Sequence, residues 1–160
     1  MGGGSSNAAS VIKMVNEMLN LNMSFDEMME IAETVGSDVP FTLFGKPALV
    51  KGIGEKLEAI DVNLDFYIFI VKPAKGVSTP QLFKKLDINN LKHYDAKTVI
   101  KALEDGNYDL FVKSLGNSLE DAAIKTVPAI KQAKKDLLEF GFDVALMSGA
   151  GSSVFGITQK

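Results

Sequence analysis

Gly2-Gly3-Gly4-Ser5-Ser6-Asn7-Ala8-Ala9, running on into Ser10-Val11-Ile12-Lys13-Met14-Val15-Asn16-Glu17-Met18-Leu19, is the stretch on which the fold turns. Three glycines and two hydroxyls pass without a break into a helical pattern. Ala8, Val11, Ile12, Val15, Met18 and Leu19 recur at the i, i+3, i+4, i+7 spacing of one helix face. Glycines let a backbone turn its N–H groups inward, and a helix N-terminus adds about half a positive charge. The stretch therefore reads as an anion cradle. It is not a Walker A loop, because no Gly-Lys-Ser/Thr follows. The same letters suit a plain linker or helix cap, and the uninterrupted run into Asn7-Ala8-Ala9 favours the cradle.

Outward from that start, Ser24 and Glu27 form a capping-box signature ahead of Met28, Ile31, Ala32 and Val35, and Gly36 closes this second helix. Ala48-Leu49-Val50 has strand character between Gly45 and Gly52. Phe66-Tyr67-Ile68-Phe69-Ile70-Val71, β-branched and aromatic throughout, predicts a strand buried on both faces. Ser78 or Thr79 with Pro80 starts another helix. Helical patterns follow over 96–103, 108–115 and 119–140, the last bending or restarting at Pro128 and stopping at Gly141. Val144-Ala145-Leu146-Met147 and Val154-Phe155-Gly156-Ile157 predict two short strands around a glycine turn. The fold class is α+β, without internal repeats. A boundary near Gly45 separates a helical head, residues 1–45, from a mixed body, residues 46–160.

Composition narrows the chemistry. In 160 residues there are 17 lysines, no arginine, 20 acidic residues and no cysteine, for a net charge of −3. The missing thiols exclude a disulfide scaffold, a thiolate metal site and a cysteine nucleophile. Without guanidinium clamps, a phosphate site must use lysine, backbone N–H groups or a helix end. Mild acidity argues against nucleic acid as a partner. No apolar run approaches a membrane span and no basic-then-apolar leader opens the chain, so a cytoplasmic protein is expected.

Two further constellations stand out. In Gly36-Ser37-Asp38-Val39-Pro40-Phe41 a carboxylate is held between a helix-ending glycine and a proline. Asp38 is placed there either to cap a short helix beginning at Val39-Pro40 or to accept a proton from an attacking hydroxyl. Met147-Ser148-Gly149-Ala150-Gly151-Ser152-Ser153 is a second glycine turn, suited to close backbone approach to a ligand or to a tight hairpin.

Taken in order, the three motifs resemble the GHMP small-molecule kinases. Gly52-Ile53-Gly54-Glu55, Lys72-Pro73 and Ser78-Thr79-Pro80 with Phe83 extend the resemblance over essentially the whole chain. Within the family, the Gly-Gly-Gly-Ser-Ser-Asn wording is similar to the branch that phosphorylates a cytidine-diphosphate-linked sugar alcohol in non-mevalonate isoprenoid synthesis. The resemblance implies a partial GHMP kinase fold, with the helical remainder of an ATP-binding lobe followed by most of a ferredoxin-like lobe. It implies that Gly2, Gly3, Gly4, Ser5, Ser6 and Asn7 wrap the ATP phosphates and that Asp38 is the catalytic aspartate. Thr79, Pro80 and Phe83 fall on a substrate wall where an aromatic ring stacks on cytosine. Gly149, Ala150, Gly151 and Ser152 form the third family motif, beside the substrate. Mg²⁺ would accompany ATP, held by phosphate oxygens and water rather than by a protein metal site.

Departures set further expectations. Met1 stands where a leucine is usual, and the family's upstream strand, its lysine partner for the aspartate and its cytidine-gripping residues fall outside these 160 residues, as do a last helix and strand. The chain is therefore expected to be an internal piece, inactive alone, with an apolar helical face prone to self-association. Asn117-Ser118-Leu119-Glu120 replaces the usual Asn-Asp-Leu-Glu, which leaves the role of that turn open. Met14, Met18, Met23, Met28 and Met29 are expected in the core, His93 in a solvated loop, and Lys131, Lys134 and Lys135 on a wet helix face. Another GHMP kinase, or a non-catalytic nucleotide-binding module, is the alternative reading.

Overall fold

A computed structural model describes residues 2–159; Met1 and Lys160 lie outside the described residues. The chain divides into two compact units, Gly2–Val62 and a second beginning at Asn63.

The first unit packs α1 (Gly3–Met18), α2 (Phe25–Val35) and α3 (Val39–Phe44) around Ala9, Ala32, Val39 and Leu43. Small residues at the contact let the helices approach closely. The capping box at the start of α2 is complete: the Ser24 hydroxyl accepts from Glu27 N–H, and the Glu27 carboxylate accepts from Ser24 N–H at 2.7 Å. Asn16 pins the α1–α2 turn, its Oδ1 accepting from Met23 N–H at 3.0 Å and its Nδ2 donating to Met23 O at 3.3 Å. Met28 and Met29 pack against the core, whereas Met14 and Met18 are exposed, contrary to expectation. Their spacing marks a helix face, but within this unit nothing covers that face. β1 (Ala48–Lys51) pairs antiparallel with β2 (Lys56–Ala59) in register Ala48 with Ala59. Its turn closes on the helices, since a Cβ on Gly54 would fall on the Ser37 carbonyl. The hairpin therefore belongs with the helices, and the compact units divide after Val62, later than the break in composition near Gly45.

In the second unit β3 (Tyr67–Val71), β4 (Val144–Met147) and β5 (Val154–Thr158) form an antiparallel sheet in the order β3-β5-β4. Along the chain, β3 is followed by α4 (Thr79–Lys84), a 3-10 turn at Ile88–Asn90, α5 (Ala96–Glu104), α6 (Tyr108–Ser114), α7 (Glu120–Thr126) and α8 (Ala129–Glu139). Pro128 is the N-cap of α8, so the long helical pattern restarts there. Leu82, Ala123, Val127, Ile130, Leu137, Met147 and Val154 form the core. β3 corrects the expectation of double burial: Tyr67, Ile68, Phe69 and Ile70 are all exposed, because α8 packs chiefly on β4 and β5 and leaves β3 largely uncovered. Among the described residues no helix is long and apolar enough to cross a membrane.

Candidate active site

The glycine stretch begins α1. Gly2 is the N-cap in the left-handed region (φ 64°), which a side chain would strain, and the first intrahelical bond runs from Ser6 N–H to Gly2 O at 2.9 Å. No side chain caps this end and no acidic residue lies in the first turn. The first-turn N–H groups are therefore open to an external acceptor, with no resident anion in competition. A Cβ on Gly2, Gly3 or Gly4 would meet nothing within 4 Å, so the space beside the loop is empty. The side chains of Ser5, Ser6 and Asn7 make no hydrogen bond among the described residues.

Asp38 lies in the same unit. It holds the N-cap position of α3, followed by Val39 and Pro40, both buried, yet its carboxylate makes no cap hydrogen bond. The capping alternative is thus not realised, and the exposed carboxylate has no partner among the described residues. Its backbone is fixed through Thr42, whose N–H donates to Asp38 O at 3.2 Å. The Thr42 hydroxyl lies 3.0 Å from Ser5 O and 2.9 Å from Val39 O, which share its single proton, so the helix carrying Asp38 meets the first turn of α1 at Thr42. Sequence reasoning missed Thr42; a threonine one turn after an N-cap carries no distinguishing signal until the second helix is in place.

The second unit holds the other candidates. Ser148 N–H donates to Ser153 O at 2.8 Å and Gly151 N–H to Ser148 O at 3.0 Å, closing the turn between β4 and β5. Gly149 and Gly151 adopt φ 54° and 89°, and a Cβ on Gly151 would strike Met147 Sδ. Ser152 is fully buried and its hydroxyl accepts from Lys72 Nζ at 3.0 Å. Thr79, Pro80 and Phe83 lie on the outer side of α4, while Leu82 enters the core. Phe83 is 55% exposed, so core packing does not account for its ring. No hydrogen bond joins Thr79, Pro80 or Phe83 to the glycine turn among the described residues.

Asn117 and Glu120, whose role the sequence leaves open, are structured against this turn. Asn117 Nδ2 donates to both Met147 O and Gly149 O at 2.8 Å. Glu120 Oε2 accepts from Met147 N–H at 2.8 Å, and its Oε1 pairs with Lys134. Lys134 therefore leaves the wet face assigned to it, because a largely buried carboxylate needs its charge. Lys135 behaves as expected, in an exposed pair with Glu139 at 3.4 Å, and His93 is exposed. Nearby, Asp121 pairs with Lys92 at 2.9 Å, and that hydrogen bond holds its carboxyl below the usual carboxylate range. Cavities of about 630 Å³ between α7 and α8 and about 450 Å³ beside Phe69 and Phe142 contain none of the candidate residues. Among the described residues no cluster of acidic or histidine side chains is arranged to hold a metal ion.

A glycine loop opening a helix in one unit, with a helix-flanked antiparallel sheet and a second glycine turn in the other, is the architecture of a class of small-molecule kinases. The chain belongs to that class: it is a member of the GHMP kinases. Residues 1–46 match the GHMP kinases N terminal domain and residues 99–160 the GHMP kinases C terminal. The 4-diphosphocytidyl-2-C-methyl-D-erythritol kinase of Ligilactobacillus salivarius is 41% identical over 160 residues, all of this chain and 55% of the relative. A Listeria monocytogenes protein of the same name is 37% identical with the same coverage. A crystal structure of 4-(cytidine 5'-diphospho)-2C-methyl-D-erythritol kinase superposes with a TM-score of 0.80 at 28% identity, covering 99% of this chain and 56% of that one. A homoserine kinase from Cytophaga hutchinsonii, at 18% identity and TM-score 0.73, shares the fold. The chain thus spans about 55% of the length of the curated relatives it matches.

Proposed function

We propose that these residues serve an enzyme that transfers the γ-phosphoryl group of ATP to the 2-hydroxyl of 4-diphosphocytidyl-2-C-methyl-D-erythritol, a step of non-mevalonate isoprenoid precursor synthesis. The observation that carries the reaction is Asp38: an unpartnered carboxylate at the start of α3, tied through Thr42 to Ser5 of the glycine loop. The substrate rests on the relatives at 37–41% identity. The homoserine kinase brings only the fold and favours no other alcohol.

Gly2, Gly3 and Gly4 admit a close approach of phosphate oxygens, the open N–H groups of the first turn donate to them, and Ser5, Ser6 and Asn7 add side-chain donors. That uncapped, uncluttered helix start fits a polyphosphate. When bound, ATP with Mg²⁺ supplies the phosphoryl group, the ion being held by phosphate oxygens and water. Asp38 accepts the proton of the attacking hydroxyl as its oxygen bonds to phosphorus and the bond to the departing ADP breaks. Such a base contributes about a hundred- to ten-thousandfold in rate. Phe83, exposed on α4 beside Thr79 and Pro80, offers a flat face to the cytosine, where stacking is worth about 1–3 kcal/mol. Gly149, Ala150 and Gly151 offer backbone groups for substrate binding, whereas Ser152, fully buried and bonded to Lys72, holds the turn in place and does not reach a ligand. Its nucleotide substrates make the cytoplasm the setting of this reaction.

The test is an ADP-release assay on the full polypeptide encoded by the gene. We expect turnover dependent on the cytidine substrate, reduced about a hundredfold or more by Asp38→Asn. Unchanged turnover in Asp38→Asn would remove the base assignment. Turnover with homoserine in place of the cytidine compound would remove the substrate, and nucleotide binding without turnover would leave a non-catalytic module.

A further inference from the structure

We propose that Asn117 is a positioning residue of this site, which orients the glycine turn so that its backbone presents a fixed donor to an anionic group. The proposal rests on the reading of that turn as part of a phosphotransfer site. One carboxamide spends both of its N–H donors on two carbonyls of the turn, Met147 O and Gly149 O, each at 2.8 Å. Its oxygen accepts from Leu119 N–H at 2.9 Å, so the amide itself is held in one orientation at the start of α7. Glu120 completes the grip by accepting from Met147 N–H at 2.8 Å, and Lys134 neutralises it. Both backbone groups of Met147 thus bond to side chains on the open side of β4, an edge strand of its sheet.

The consequence follows from peptide planarity. In a trans peptide the C=O and the next N–H point in opposite directions. The peptide after Met147 obeys this visibly: its carbonyl faces Asn117 and its N–H, on Ser148, donates the other way to Ser153 O at 2.8 Å. The peptide linking Gly149 and Ala150 is held by the same amide, so the Ala150 N–H is turned away from Asn117. Neither the Gly149 nor the Ala150 N–H has an acceptor among the described residues. Lys72 fixes the far end of the turn through the buried Ser152 hydroxyl at 3.0 Å, so the turn is anchored on both sides of these two donors. Preorganised backbone donors of this kind need no rearrangement when negative charge arrives. The anion is a phosphate group, of either the nucleotide or the diphosphate-bearing substrate.

Two substitutions of Asn117 test this in the full polypeptide encoded by the gene. Asn117→Asp removes both donors but keeps the acceptor for Leu119 N–H. Asn117→Leu removes them without adding charge. Ser118→Ala is the control, since it deletes only the bond from Ser118 to Lys92 O at 2.6 Å. We expect both Asn117 variants to raise amide exchange at Ser148 and Gly151, and to lower kcat/KM about tenfold or more, at unchanged folded fraction. A rise in KM for ATP assigns the anion to the nucleotide; a rise in KM for the cytidine substrate assigns it to that ligand. Ser118→Ala should stay within about twofold of the unsubstituted protein. Unchanged exchange, unchanged kinetics in either Asn117 variant, or losses that merely track unfolding would overturn the proposal. Absence of turnover in the unsubstituted protein would instead sink the kinase reading, with the exchange rates still judging the clamp.

Discussion

Gly4→Ala separates the two reasons for which a glycine is kept at the start of a helix. Gly4 lies inside α1, at ordinary helical φ, and a Cβ there would meet nothing within 4 Å. Folding alone therefore favours alanine, which is better than glycine in a helix by about 0.5–1 kcal/mol. In the full polypeptide, where the assay is run, that gain corresponds to a rise of roughly 1–4 °C in melting temperature. The same methyl group projects into the empty space where the proposal brings phosphate oxygens, and displacing reacting groups by about 1 Å costs on the order of a hundredfold. The expected phenotype is a protein that melts later and phosphorylates far more slowly. Thermal melts followed by circular dichroism, with ADP-release kinetics on the same preparation, read both quantities. A Gly4→Ala protein with a raised melting temperature and unaltered kcat and KM for ATP would refute the assignment of the loop to phosphate. A lowered melting temperature would refute the geometry from which the space was inferred.

Gly54→Ala should act in the opposite sense, since its Cβ would overlap the Ser37 carbonyl and its φ of 123° disfavours any side chain. Strain and overpacking together predict about 2–5 kcal/mol of destabilisation, read as a lower urea midpoint; an unchanged midpoint would show that the hairpin does not close on Ser37. Glu27 is titrated by its own capping box: the Ser24 N–H, then the Ser24 hydroxyl, hold its carboxyl below the ordinary 4.5. A lowered folded pKa gives stability that is complete above 4.5 and lost as the pH falls through the folded value. Glu27→Gln should therefore flatten the acid limb of the melting temperature against pH, and an identical limb would remove the box from the pH response. Val11, Met14, Val15 and Met18 expose an apolar stripe on α1, from which we infer that the 160-residue polypeptide self-associates. Sedimentation velocity should show concentration dependence that Val11→Glu reduces, and a monomer at every concentration would oppose this.

Much of the fold is legible in the sequence wherever local physics and tertiary context agree. The Ser24–Glu27 capping box, the helix-closing Gly36 and the restart at Pro128 are each decided within one turn of chain, and the structure reproduces them. Legibility fails where a neighbour decides. Lys56-Leu57-Glu58-Ala59 has residues poorly disposed to strands and becomes β2 only by pairing with β1. The composition of β3 reads as doubly buried, yet composition identifies a strand and says nothing of how many strands or helices cover it. The methionines of α1 show the same limit: spacing reveals a face, not its partner. At the site, the letters of the glycine loop and of Asp38 are visible, but whether the carboxylate caps α3 is a question of side-chain geometry, which the structure answers in the negative. The Asn117 clamp was illegible for a different reason. It joins groups 30 residues apart in sequence, and the unusual Ser118 draws attention away from the amide beside it.

The absence of arginine is compatible with this arrangement. Two lysines near the second glycine turn are already committed, Lys72 to the Ser152 hydroxyl and Lys134 to Glu120. They shape the turn, and its unpaired donors are backbone N–H groups, as at the start of α1. Backbone donors sit at fixed positions on the chain, lose no side-chain entropy when they bind, and stay protonated at every physiological pH. Their cost is that every residue beside them must be small enough to let the ligand approach and, at Gly2, Gly149 and Gly151, tolerant of a positive φ. A chain that recognises phosphate in this way needs glycine where another would use arginine. Neutralising an exposed lysine such as Lys131 should therefore matter less to catalysis than adding one methyl group at Gly4.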